Sequence, residues 1–344
     1  MTRPTQSLDA SLADAAQASN LTYFAFATPL NAKPRSADPP LKPAKANIGP
    51  LPDVLAGRYR LERLLGAGGM SSVYRARDLL SEQFGDPDPY LALKTLGEGL
   101  AESPDASALL YSEFALTRRL RHDNVVRAHT FEVDTNCQRA FITMELMCGL
   151  TLDQLLCERP LGLRWPELRD VALPLLDALA YAHARGVLHG DMKPSNVMLT
   201  EGGLRLFDFG LGRAVEGTLA GLPQLSRDRF NAWTPGYAAP ELLEGQPLSA
   251  SADVYGVACL LYELAGGKHP FRRLYSAQAR DNHWERELRA PANLPKHCWP
   301  ALRTALALDA ADRTISAAQL RDVIAANVYH RFWLFSGISS LMTW

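Results

Sequence analysis

The stretch His189-Gly190-Asp191-Met192-Lys193-Pro194-Ser195-Asn196 constrains this chain more than any other. An apolar run with helical character precedes it, Val171 to Ala184, and a β-like run, Val197-Met198-Leu199, follows it. Between them stand an acid, a base and an amide, with Pro194 fixing the backbone. Asp191 can take a proton from a hydroxyl. Lys193 can neutralise a phosphate, and Asn196 can hold a metal through its side-chain oxygen. Asp208-Phe209-Gly210 follows after a short apolar hairpin, and its carboxylate is a second candidate ligand for a divalent metal.

The chain has 344 residues, enough for a large core and one or two domains. Its net charge of −1, from near-equal acids and bases, leaves no nucleic-acid footprint. The five cysteines (Cys137, Cys148, Cys157, Cys259 and Cys298) are scattered and lack CxxC spacing. That pattern fits reduced thiols in a reducing compartment and argues against a zinc site. Asp9 and Asp14 stand where a secretory signal needs bases, and the apolar stretch Leu21 to Leu30 is short and interrupted. No run approaches the roughly 20 apolar residues of a membrane span. A cytoplasmic protein without a transmembrane span is therefore expected.

Residues 1–50 read as a flexible leader, first rich in Ala and Ser, then in Pro. From Leu51 onward order is expected. Tyr59 to Leu65, Ser72 to Arg77 and Tyr90 to Leu96 read as strands, with a glycine turn between the first two and a polar insert, Asp78 to Pro89, before the third. A helix is expected from about Asp105 to Arg121, with Glu113 on its apolar stripe, a carboxylate that needs a partner. Val125 to Ala128 and Ala140 to Glu145 read as further strands. After Gly149 helices dominate: Leu152 to Glu158, Pro166 to Arg185, Ala239 to Leu243, Ser251 to Leu264, Trp299 to Ala307 and Ala317 to Ala326. A strand-rich part before a helix-rich part argues an α+β chain of two lobes with a cleft between them.

Gly66-Ala67-Gly68-Gly69-Met70-Ser71 lies between two strands, where a dinucleotide fingerprint would need a helix after it. Lys94, alone, would be a solvated edge charge. In order along one chain, however, the glycine turn, Lys94, Glu113, Asp191-x-Lys193-Pro194-x-x-Asn196, Asp208-Phe209-Gly210, Ala239-Pro240-Glu241, Asp253 and Arg313 resemble the Hanks-type bacterial serine/threonine protein kinases. The resemblance spans about Tyr59 to Ile324.

It implies the bilobal protein-kinase-like fold: a strand-rich N-lobe with one helix at about 51–146, a helical C-lobe at about 147–328, and ATP in the cleft. A short aromatic tail, 329–344, is expected to pack on the helical lobe. The resemblance assigns Asp191 as catalytic base and Lys193 as its phosphate-neutralising neighbour, with Asn196 and Asp208 as ligands of Mg²⁺, Mn²⁺ being the alternative ion. Gly66 and Gly68 cover the phosphates, and Lys94 contacts the α- and β-phosphates while paired with Glu113. Leu65, Val73, Ala92 and Met198 sandwich the adenine, the backbone of Glu145 to Met147 bonds its edge, and Met144 guards the rear. His189 is structural, Asp253 supports the catalytic loop, and Arg313 pairs with Glu241. Lys193 and Thr234 fit a Ser/Thr acceptor, so the expected activity is transfer of the γ-phosphoryl of ATP to protein Ser and Thr hydroxyls, autophosphorylation included. A catalytically dead relative would lack one of Lys94, Asp191 or Asp208, and all three are present. Departures from the family pattern are Ser71 for the third glycine, Gly190 for the arginine usual in His-Arg-Asp, and the long insert after Arg77.

Overall fold

The computed structural model describes residues 51–68, 71–97, 104–209, 213–214, 234–272 and 276–326. The expectations for the leader, for Gly69, Met70 and Gly210, for most of the segment before Thr234 and for the tail lie outside them. The described residues form two compact units: 51–110 with 130–144 and Thr234, and 111–129 with 145–214 and 235–326.

The first unit is built on an antiparallel sheet of six strands: β1 (Val54–Leu55), β2 (Tyr59–Ala67), β3 (Ser71–Asp78), β4 (Tyr90–Leu96), β5 (Ala128–Asp134) and β6 (Arg139–Met144). Their order is β1-β2-β3-β4-β6-β5. Leu55, Tyr59, Ala76, Leu93 and Phe141 form its core, with Tyr59 edge-on to Phe141 at 5.6 Å. The Tyr59 hydroxyl donates to Glu132 at 2.9 Å, so its polar end stays satisfied beside the core. Lys94 sits opposite Val73 on β3 and Ile142 on β6.

The insert after Arg77 contains a short helix, α1 (Leu79–Gln83), where the sequence suggested only a polar loop. Asp78 explains it. One of its carboxylate oxygens accepts from the Leu80 and Ser81 amides as an N-cap, while Arg58 binds the carboxylate at 2.8 and 2.5 Å. The bond from Arg58, with the Ser81 bonds, outweighs burial and holds the Asp78 carboxyl down at about 2.

Residues 104–117 form α2 (Pro104–Thr117), which ends four residues short of the expected Arg121 in a turn closed by Leu120 N–H to Thr117 O. Val125 and Val126 are buried but do not form the expected strand: Val125 makes an isolated bridge to Leu206, and β5 begins only at Ala128. Their apolar character records packing rather than a ladder.

The second unit is mainly helical: α3 (Leu152–Glu158), α4 (Trp165–Ala184), α5 (Pro240–Leu243), α6 (Ala250–Gly266), α7 (Ser276–Asp281), α8 (Trp299–Ala305) and α9 (Ala317–Ala325). Helix α6 is buried on nearly every side, as its uninterrupted apolar run Val254 to Leu261 requires. Short strands β7 (Gly149–Thr151), β9 (Val197–Thr200) and β10 (Gly203–Leu206) form one small sheet, and β8 (Val187–Leu188) pairs with β11 (Arg213–Ala214). No helix among the described residues is long and apolar enough to cross a membrane.

Candidate active site

The 189–196 stretch leaves β8, crosses the buried helix α6 and ends in a 3₁₀ turn, Pro194–Asn196, that leads into β9. Gly256 on α6 makes the crossing possible: a Cβ there would lie 2.8 Å from the Met192 Cβ. Asp253, one turn earlier on the same helix and 2 % exposed, receives the loop. Its Oδ2 accepts from the His189 N–H and its Oδ1 from the Gly190 N–H, both at 2.8 Å. Burial alone would push the Asp253 carboxyl up, but the hydrogen bond and charge of His183 and the Gly190 amide outweigh it and hold it below the usual range. Asp253 therefore stays ionised inside the protein.

His189 is fully buried and its two ring nitrogens are both engaged. Nε2 lies 3.0 Å from the Phe207 carbonyl, which can only accept, and Nδ1 accepts from the Asp191 N–H at 3.2 Å. Those partners fix the neutral tautomer with the proton on Nε2, so His189 serves as a strut and cannot act as a base. Its ring packs on Phe209 at 4.7 Å. This contact ties the Asp208-Phe209 turn to the catalytic loop.

Asp191, Lys193 and Asn196 converge as expected. The Lys193 ammonium lies 2.6 Å from Asp191 Oδ2. Asn196 Nδ2 donates to the Asp191 carbonyl at 2.8 Å and faces Asp191 Oδ2 at 3.3 Å. With both acceptors on its nitrogen side, Asn196 keeps its Oδ1 as the side-chain atom suited to ligate a cation. Asp208 adopts a left-handed φ of +65°, uncommon outside glycine though among the conformations Asp tolerates best, beside the fully buried Phe209. One amide oxygen and one carboxylate suit a hard cation that completes its shell with phosphate oxygens and water. Among the described residues no cluster of three His, Cys, Asp or Glu side chains could hold a metal unaided.

The other predicted residues fall on both units. Leu65, Gly66, Gly68, Val73, Ala92 and Lys94 stand on or next to β2, β3 and β4. Gly68 closes its turn by donating to Ser71 O at 2.8 Å. Lys94 is buried, 6 % exposed, as is Glu113 on α2, 8 % exposed. Glu145 and Met147 follow β6, and Met198 lies on β9. The Glu145 N–H is taken by Arg127 O at 3.0 Å and its side chain accepts from the Arg127 N–H at 2.8 Å, which leaves its carbonyl available.

Arg313 pairs with Glu241 as expected, through both guanidinium ends at 2.7 and 3.3 Å, and also donates to the Ala307 and Ser251 carbonyls. Two further contacts had no sequence signal. His183, on the last turn of α4, meets Asp253 Oδ2 at 2.9 Å. The Tyr237 hydroxyl donates to the buried Glu263.

The protein kinase domain model matches residues 59–323. The serine/threonine-protein kinase PkaA of Streptomyces coelicolor is 34 % identical over 273 residues, covering 75 % of this chain and 48 % of PkaA. A probable serine/threonine-protein kinase, PknB of Corynebacterium glutamicum, is 31 % identical over 78 % of this chain and 42 % of its own. The chain thus spans less than half the length of these curated relatives. The crystal structure of the Mycobacterium tuberculosis PknI kinase domain superposes with a TM-score of 0.58 at 27 % identity, covering 80 % of this chain and 98 % of that one. The fold is that of a protein kinase, and the chain belongs to the protein kinase family, in its Hanks-type serine/threonine branch.

Proposed function

We propose that this chain transfers the γ-phosphoryl group of ATP to Ser and Thr hydroxyls of protein substrates, itself among them. The observation that carries this reading is the convergence of Asp191, Lys193 and Asn196 on a loop that Asp253 and His189 hold rigid. Asp191 orients the acceptor hydroxyl and takes its proton as the new O–P bond forms and the bond to the β-phosphate oxygen breaks, releasing ADP. Lys193 offsets charge on the transferred group, and Lys94 does so at the α- and β-phosphates. Gly66 and Gly68 let backbone N–H groups approach the phosphates. Leu65, Val73 and Ala92 on the first unit, and Met198 and the backbone of Glu145 to Met147 on the second, are the groups assigned to the adenine by the family pattern.

Asn196 and Asp208 would hold Mg²⁺, or Mn²⁺ in its place. That ion would neutralise phosphate charge in the transition state. We further propose a cytoplasmic enzyme whose catalytic domain is residues 51–328, with leader 1–50 and tail 329–344 outside it. The test is incubation of the full chain with γ-labelled ATP, Mg²⁺ and casein, followed by phosphoamino-acid analysis. Label on Ser and Thr is expected. Label on Tyr alone, or none, would contradict the reading.

A further inference from the structure

Helix α7 grips α5 at both ends. Arg280 pairs with Glu244, the residue that caps the C-terminal end of α5. One turn earlier on the same face of α7, Ser276 Oγ donates to the Ala238 carbonyl at 2.7 Å, just ahead of Ala239, the N-cap of α5. Ser276 is fully buried, and Ala238 is buried with it. The chain on either side is held by other means: the Tyr237 hydroxyl donates to Glu263, and from Pro240 onward the main chain is helical. The Ala238 carbonyl lies between those anchors and takes its hydrogen bond from Ser276, so α7 sets where this stretch of main chain runs. What lies across from it gives that position a consequence. A Cβ on Gly256 of α6 would meet the Tyr237 carbonyl at 3.3 Å, the Met192 carbonyl at 3.2 Å and the Met192 Cβ at 2.8 Å. Met192 stands between Asp191 and Lys193. The Tyr237-Ala238 main chain and the catalytic loop thus converge on one point of α6, and a peptide that offers its hydroxyl to Asp191 lies beside both.

We propose that Ser276 is a positioning residue for the acceptor peptide. Acting through the Ala238 carbonyl, it holds the Tyr237-Ala238 main chain as one wall of the path along which the acceptor binds. This rests on Asp191 being the base of a transfer to protein hydroxyls. Ser276 lies on none of the elements assigned to ATP, so its removal should weaken use of the acceptor and leave use of the nucleotide alone.

The experiment measures initial rates of label transfer from γ-labelled ATP to casein by the full chain, parent and Ser276→Ala. Casein is varied at saturating ATP and ATP at saturating casein, and melting temperatures are taken for both proteins. The variant lacks one neutral hydrogen bond, so its KM for casein should rise about fivefold. Its kcat and its KM for ATP should each stay within about twofold of the parent, as for a contact made equally in the ground and transition states. A parental KM for casein overturns the proposal. A fall in kcat with no change in either KM overturns it too, since that is what a smaller folded fraction produces. If Ser276→Ala does not fold, Arg280→Gln takes its place, because it loosens the other grip of α7 at a partly exposed site. A raised casein KM in that variant supports the proposal, and a parental one overturns it. A parent chain that labels neither casein nor itself contradicts the kinase reading, and the proposal falls with it. An active parent with an unchanged variant contradicts the proposal alone.

Discussion

Single residues here act through buried partners, which sets the size of their effects. The Arg313 side chain is fully buried and binds Glu241 through both guanidinium ends. Removing it strands a half-buried carboxylate, at a cost of about 3–5 kcal/mol. Arg313→Met is therefore expected to lower the melting temperature sharply while leaving the KM for ATP of the folded fraction unchanged. A melting curve like the parent's would show that the pair contributes nothing. Lys94 and Glu113 present the complementary case. If they act as one ion pair, Lys94→Met and Glu113→Ala are each strongly defective and the double variant is no worse than either. Additive losses in the double-mutant cycle would mean that the two side chains do not work together. Asp191, Lys193, Asn196 and Asp208 were legible because they lie within 18 residues in a fixed order, so one motif carried them all. His183 was not legible, since its meaning lies in Asp253, 70 positions away, and nothing near it in the sequence marks that contact.

At the scale of elements, the strands were legible where alternation was clean. Tyr90–Leu96 is found as read, because β4 lies in the sheet between β3 and β6 and its apolar residues pack the core. Helix α1 was not legible, because none of its residues is buried and no apolar stripe marks it. Its stability comes instead from Asp78, which caps it and binds Arg58. The Asp78 carboxyl is held at about 2, below its ordinary 3.8. A depressed folded value contributes stability that is complete above about pH 4 and fades as pH falls toward about 2. Since Arg58 is partly exposed, about 1 kcal/mol is a reasonable size for it. Asp78→Asn should thus lower stability by about that much at pH 7, and the gap to the parent should narrow between pH 4 and pH 2. A gap that stays constant across that range would show that the ionised carboxylate is not what matters.

For the whole molecule, the central question is what the catalytic loop does and what controls it. Gly190 stands where the family pattern has an arginine, so the loop offers no cation at that position to a phosphate on the segment between Asp208-Phe209-Gly210 and Ala239-Pro240-Glu241, which holds Thr218 and Ser226. Activity is therefore expected to depend little on phosphorylation at Thr218 or Ser226. Phosphatase-treated and pre-phosphorylated samples should share one kcat. A tenfold fall on dephosphorylation, about 1.4 kcal/mol, reversed on re-phosphorylation, would show that another basic group replaces the missing arginine. Asp191 as the base of a phosphoryl transfer to protein hydroxyls is the assignment on which the proposed chemistry rests. The most direct measurement is the rate of label transfer from γ-labelled ATP to casein by the parent and by Asp191→Asn, with nucleotide affinity measured on both. Ser and Thr labelling by the parent, a loss of about 10²–10⁴-fold in the variant, and near-equal affinity for ATP are expected. Parental turnover in Asp191→Asn would contradict that assignment.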